Sequence, residues 1–175
     1  MSTIALSVMI VLSVVFLFIG FTYISNRQKK KSVSMLLSQL NKSGAENNLS
    51  FSSQELLNGS ILGLDALKLK LLILQQRDED TFEWNIIDLK LVRNCAVKKI
   101  YKPFYDGGSK GKKNENYLDK IVLHFEFTDN RESREVKFYS HIANNVYEMQ
   151  ELEHKARKWE SMLLQMTGSK PRQIA

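Results

Sequence analysis

The chain begins with an apolar run and acquires an alternating or helical rhythm only later. Residues 4–24 read IALSVMIVLSVVFLFIGFTYI, 21 positions whose only polar members are Ser7, Ser13, Thr22 and Tyr23. A helix rising about 1.5 Å per residue would make this segment roughly 31 Å long, close to the thickness of a bilayer's hydrocarbon core. Small hydroxyls bond back to a carbonyl one turn earlier and do not disqualify it. A cleaved secretory signal needs a basic leading region and an apolar core of about 7 to 15 residues. No basic side chain precedes Arg27, and the run is longer than that. The pattern predicts a transmembrane anchor over residues 1–26.

Beyond the anchor, Val33, Leu36, Leu37 and Leu40 recur at helical spacing. They predict one apolar face, either of a stalk continuing the anchor or of a helix lying on the bilayer. Asn41 to Ser50 (NKSGAENNLS) reads as a polar linker. Ser52-x-x-Glu55 has the form of a capping box, with Phe51 and Leu56 at the staple positions and Gly59 placed to stop a short helix. From Ser60 the period becomes two. Ile61 to Leu64 predicts a short strand and Asp65 a turn; Leu67, Leu69, Leu71 and Ile73 then alternate with Lys68, Lys70, Leu72 and Leu74. Phe82, Trp84 and Ile86 begin another run, which Leu89 and Leu91 continue, and Val97 to Tyr101 follows as a separate strand. Ile121, Leu123, Phe125 and Phe127 alternate in turn, as do Val136 and Phe138. Alternation buries one face and wets the other, so the expected structure is an antiparallel sheet, with hairpin joins at Gln76 to Asp80 and Asp129 to Ser133. Val146, Met149, Leu152, Ala156, Trp159, Leu163 and Met166 then mark a closing amphipathic helix. Asn144 or Asn145 can cap it and Gly168 can end it, leaving residues 169–175 as a flexible tail.

Composition narrows the class. Of 175 residues, 43% are hydrophobic and 25% charged, with 8 Gly, 2 Pro and 1 Cys. This excludes a disordered chain, a collagen-like repeat and a disulfide-stapled mini-domain. The net charge of +6 is unevenly spread. Arg27, Lys29, Lys30 and Lys31 follow the apolar run directly. By the positive-inside rule they place the N-terminus outside the cell (inner or plasma) membrane and the C-terminal domain in the cytoplasm. The lone Cys95 fits a reducing compartment. Lys98, Lys99, Lys102, Lys110, Lys112 and Lys113 form a second cluster, interleaved with Tyr101, Phe104 and Tyr105. It reads either as a solvated loop or as a loop set against anionic headgroups. No recognised nucleic-acid module accompanies it, so nucleic acid is not an expected partner.

Catalytic chemistry is harder to find. His124, His141 and His154 lack the spacing of a metal-binding helix motif, and no Gly-x-Ser-x-Gly elbow occurs. Gly107-Gly108-Ser109-Lys110-Gly111-Lys112-Lys113 leaves three residues between its outer glycines and lacks the hydroxyl of a phosphate loop. No catalytic residue, metal or cofactor is expected.

The run from Leu67 to Phe138 followed by a helix bearing Leu152, Ala156 and Trp159 resembles the pleckstrin-homology-like fold, in which a C-terminal helix plugs a bent antiparallel sandwich. Ile61-Leu62-Gly63-Leu64-Asp65, Ile87-Asp88-Leu89 and Lys137-Phe138-Tyr139 also resemble segments of small bacterial single-pass proteins with a cytoplasmic domain of this kind. The fold class implied is a transmembrane helix plus an α+β, mainly antiparallel β domain closed by a C-terminal amphipathic helix. Its divisions are an anchor (1–26), a basic juxtamembrane segment with linker and short helix (27–59), the β domain (60–168) and the tail (169–175). The function expected is that of a membrane-anchored, non-catalytic adaptor. Its partners would be the lipid bilayer and a membrane or cytoplasmic protein, met through Arg27, Lys29, Lys30, Lys31, Lys98, Lys99, Lys102, Lys110, Lys112 and Lys113. The alternatives are a tethered enzyme with a dispersed site around His124, and a structural subunit of a membrane complex.

Overall fold

A computed structural model describes residues 30–78, 81–103, 116–129 and 131–168, together with residues 16 and 27. Strands β1 (Ser53–Leu57), β2 (Ser60–Asp65), β3 (Lys70–Gln76) and β4 (Phe82–Asp88) lie side by side in chain order as one antiparallel sheet. Strands β5 (Val92–Pro103), β6 (Asn116–Phe127) and β7 (Arg134–Ser140) form a second. Helix α1 covers residues 30–46, and helix α2 is Met149–Thr167.

The main core lies between the sheets and under α2. Leu62, Leu64 and Leu71 meet Cys95, Leu123, Phe125 and Phe138, and α2 adds Leu152, Ala156, Trp159 and Leu163. The expected C-terminal stripe thus covers the sheet interior. Its signals hold in detail: Asn145 and Glu148 form a capping box around a 3-10 turn at Val146–Glu148, and Gly168 ends the helix in the left-handed region. Val146, however, belongs to that turn and is exposed instead of joining the buried stripe. The Trp159 indole N–H donates to Glu55 Oε2 at 3.3 Å, joining α2 to β1.

A second core occupies the other face of the four-stranded sheet. Leu36 and Leu40 of α1 bury against Ile61, Leu72 and Leu74, with Leu49 and Phe51 closing one end. The apolar face expected at Val33 to Leu40 therefore packs on protein, neither serving as a stalk nor lying on a bilayer. It also explains why Leu71-Leu72-Ile73-Leu74 is apolar at every position: β3 has no wet face, because the sheet is covered on both sides.

Four local expectations are corrected. Ser52-x-x-Glu55 starts no helix, because residues 53–57 pair with β2 from Ser53↔Leu64 to Leu57↔Ser60. Asn58-Gly59 makes the two-residue turn between these strands, with Gly59 at φ +73°. Asn41 to Ser50 is largely the end of α1, with Ser43 and Gly44 buried, instead of a linker. Leu67 and Leu69 lie in the β2–β3 turn, and Leu89–Leu91 is a 3-10 turn capped by Asp88 that carries the chain from one sheet to the other.

The single-pass membrane architecture is also corrected. Among the described residues no helix is long and apolar enough to cross a membrane. The physical reason lies in what the two helices do with their apolar residues. Each carries one stripe, packed on a sheet, and presents charge on its outer face: Lys31 and Lys42 on α1, Arg157 and Lys158 on α2. The transmembrane helix of the expected fold class, and the membrane localisation with an outside N-terminus and a cytoplasmic domain, are accordingly not supported. The run Ile4 to Ile24 itself, apart from Phe16, lies outside the described residues.

Candidate binding surfaces

The basic residues singled out from the sequence do not converge. Arg27, Lys30 and Lys31 are exposed on helical backbone, whereas Lys29, Lys110, Lys112 and Lys113 lie outside the described residues. Lys98, Lys99 and Lys102 share β5 but face different carboxylates. Lys98 reaches Glu126 at 4.0 Å, Lys99 reaches Glu153 of α2 at 2.7 Å, and Lys102 reaches Asp119 at 3.0 Å. Lys99 holds the Glu153 carboxyl below its ordinary value, against the opposing effect of burial. The hydrogen bond to Asp119 likewise raises Lys102. Asp119 is buried where the β5–β6 register shifts between Ile100 and Tyr101, and its carbonyl accepts the His141 N–H at 2.8 Å. A β-bulge is a common device for turning one side chain out of the regular alternation. These lysines are engaged within the fold and do not form a bare cationic face.

His124 lies on the outer face of the three-stranded sheet, its Nδ1 3.3 Å from Glu135 Oε1 and its Nε2 3.8 Å from Glu126 Oε1. An enzyme built on this residue would need a polar pocket there. Two cavities among the described residues, one of about 570 Å³ and one of about 290 Å³, have other linings, and the space between the sheets is filled by apolar side chains. Cys95 is buried, and that burial pushes its thiol well above the ordinary range, which suits packing and not nucleophilic attack. His141 packs against the Tyr117 ring with centroids 5.0 Å apart.

The larger cavity is a groove of about 570 Å³ where α1, the β1–β2 turn and the start of α2 meet. Its apolar lining is Val33 and Leu36 from α1, Leu56 and Leu57 from β1, and Leu152 from α2. Leu36, Leu57 and Leu152 are buried, whereas Leu56 is 37% exposed. Asn58 donates from its side chain to the Ala143 carbonyl, tying the turn to the segment that enters α2. Glu148, Glu151 and Lys155 stand on the α2 wall. Lys155 bridges Glu151 at 3.0 Å and Glu55 at 3.4 Å, and the hydrogen bond to Glu151 raises its pKa above the usual value. In the same entering segment Ile142 and Tyr147 are each 89% exposed and Val146 57%. Exposed apolar side chains beside a groove with an apolar floor are the usual mark of an interaction site.

Sequence reading missed this groove because its walls come from residues 32–36, 56–59 and 143–155, which only the fold brings together. One signal was available: Ile142 and Tyr147 are apolar positions that neither the strand nor the helix period needs. No family model, no curated protein and no solved structure matches the chain.

Proposed function

We propose that the domain is a non-catalytic binding module whose partner is a protein, docked at the groove between α1, the β1–β2 turn and α2. The observation that carries this reading is the apolar floor of Leu36, Leu57 and Leu152 lying beside the exposed Ile142, Val146 and Tyr147. A groove of this size whose walls mix apolar side chains (Val33, Leu36, Leu56, Leu57, Leu152) with asparagines, glutamates and a lysine offers both contact area and hydrogen-bonding groups to a protein partner. Aromatic residues such as Tyr147 are enriched among those that dominate binding energy. Engagement of Lys98, Lys99 and Lys102 by carboxylates of the fold favours the groove over the lysine cluster as the contact surface. The pairing of a four-stranded and a three-stranded antiparallel sheet with a C-terminal helix also supports the resemblance to pleckstrin-homology-like domains, which would place the chain among adaptors.

The test is co-purification from the source cells using the full chain and two surface variants, Leu56→Asp and Tyr147→Asp. A protein recovered with the parent chain and lost with both variants is the expected result. Equal recovery with all three chains contradicts the reading.

A further inference from the structure

The four-stranded sheet ends in two edge strands, β1 and β4, and they are finished differently. β1 is met by α2, through the contacts of Trp159 and Lys155 with Glu55. β4 carries none of the devices that usually shield an edge: its seven residues pair with β3 in unbroken register, without a bulge, and include neither Pro nor Lys. The ends of the β3–β4 pairing show which way its backbone groups point. Leu89 N–H donates to the Leu69 carbonyl at 2.8 Å and Arg77 N–H to the Thr81 carbonyl at 2.9 Å. Odd-numbered residues of β4 therefore bond to β3, and Trp84 and Ile86 turn their N–H and C=O groups away from the sheet. Among the described residues no backbone group of another element meets them. Trp84 is 46% exposed, and a cavity of about 290 Å³ is lined by Asn85 to Asp88 together with Arg131, Glu132 and Arg134 of the β6–β7 hairpin. Asp129 holds Arg131 at 2.5 Å, whereas no carboxylate lies within ion-pair distance of Arg134 among the described residues.

The strand that fits this edge is β4 itself. Set antiparallel to its own copy about a twofold axis through Asn85, it places Trp84 opposite Ile86 on both sides of the axis and Phe82 opposite Asp88. Aromatic and β-branched residues make favourable cross-strand pairs. Asn85 meets the other Asn85, and an amide both donates and accepts, so the pair satisfies itself. Glu83, now held at the surface by Arg77 at 2.5 Å, falls opposite Ile87, which lines the cavity that Arg134 also lines. The second copy thus supplies a carboxylate on the side where Arg134 lacks one, and no like charges oppose each other. We propose that the chain dimerises through β4, joining two four-stranded sheets into one continuous sheet. β1 lies at the other edge, so the groove beside Leu56 stays open in both copies.

Sedimentation equilibrium of the full chain from about 1 to 100 μM reads the association, and a monomer–dimer equilibrium is expected. Trp84→Lys puts a cation on the exposed edge and should weaken the dimer about tenfold or more, with an unchanged thermal melt showing that the fold persists. Asn85→Asp and Asn85→Lys each set like charges against one another on the axis and should weaken it as well. An equimolar mixture of those two variants sets opposite charges there, and it should dimerise about tenfold more tightly than either alone. Leu56→Asp, in the groove, should leave the dimer intact. A chain that stays monomeric over the whole range overturns the proposal. So does self-association that ignores the β4 variants, that the Asn85 mixture fails to restore, or that Leu56→Asp abolishes, the last of which would seat the second copy in the groove. A monomeric chain in which a benzophenone at position 84 captures a different protein would give the edge to a foreign strand.

Discussion

Phe51 is held between two glycines, and this contact fixes where α1 lies. A Cβ built on Gly44 of α1 would stand 2.6 Å from Phe51 Cε2, and one on Gly63 of β2 would stand 2.7 Å from Phe51 Cδ1. The ring is met on opposite edges, so a methyl group at either glycine would have to displace it. Gly63→Ala is therefore expected to lower stability by about 1–3 kcal/mol, the usual cost of overpacking. The cost should shrink when Phe51→Leu is added, since the two changes share one contact, and urea denaturation of the single and double variants measures this. Asp65 acts at the same scale through hydrogen bonds. Its Oδ2 accepts the Ser50 N–H at 2.8 Å and its Oδ1 the Lys68 N–H at 2.9 Å, linking the end of α1 to the β2–β3 turn. Those backbone donors, Ser50 first, hold the carboxyl below its ordinary value. A folded-state pKa below the unfolded one stabilises fully above the unfolded value, and that contribution is lost as pH falls through the folded one. The urea midpoint of the native chain should consequently drop as pH falls from about 4. Asp65→Asn should start lower at pH 7 and show a shallower fall in the acid range; an unchanged acid profile would remove Asp65 from this role.

Among the elements, α1 departs furthest from what its sequence suggests. Its apolar face was legible at Val33, Leu36 and Leu40, but a period identifies a face without saying what covers it. The covering surface was written in β3, where an unbroken Leu71-Leu72-Ile73-Leu74 leaves no wet side. Read as simple alternation, that run assigns one face to water; read as burial on both faces, it calls for a second layer, which α1 supplies. Ser52-x-x-Glu55 misled for a different reason. Its spacing suits a helix N-terminus, yet Asn58-Gly59 two residues past Leu56 favours a hairpin, and pairing with β2 outweighs a local cap. The C-terminal helix was legible from Met149 onward because stripe and terminating glycine agree, whereas Val146, read as the start of the stripe, belongs to the 3-10 turn that Asn145 caps. If α1 is an integral layer, Leu40→Ala should destabilise the domain by about 2–5 kcal/mol, like Leu74→Ala in the same cluster. Calorimetry should then show one cooperative transition; a loss well below 1 kcal/mol would mean that α1 is dispensable.

At the scale of the whole molecule, two cores share the four-stranded sheet, so opening the main core should require global unfolding. Cys95 reports on this, being 1% exposed between the sheets with its thiol pushed up by burial. Maleimide labelling of the full chain should be negligible under native conditions and should rise with urea in step with the loss of tryptophan signal; early labelling would reveal local opening of β5. The groove is a property of the same scale. Local patterning supplied the strands and helices that build it, but not the meeting of Val33, Leu57 and Leu152, which depends on how α1, β1 and α2 pack. The claim that this meeting place binds a protein is tested most directly by photo-crosslinking in the source cells. A benzophenone side chain replaces Tyr147 beside the groove and, separately, Leu67, which is 95% exposed in the turn at the opposite end of β2. One discrete protein adduct from position 147, absent from position 67, is the predicted result. Identical adduct patterns from both positions, or none from position 147, would contradict the account.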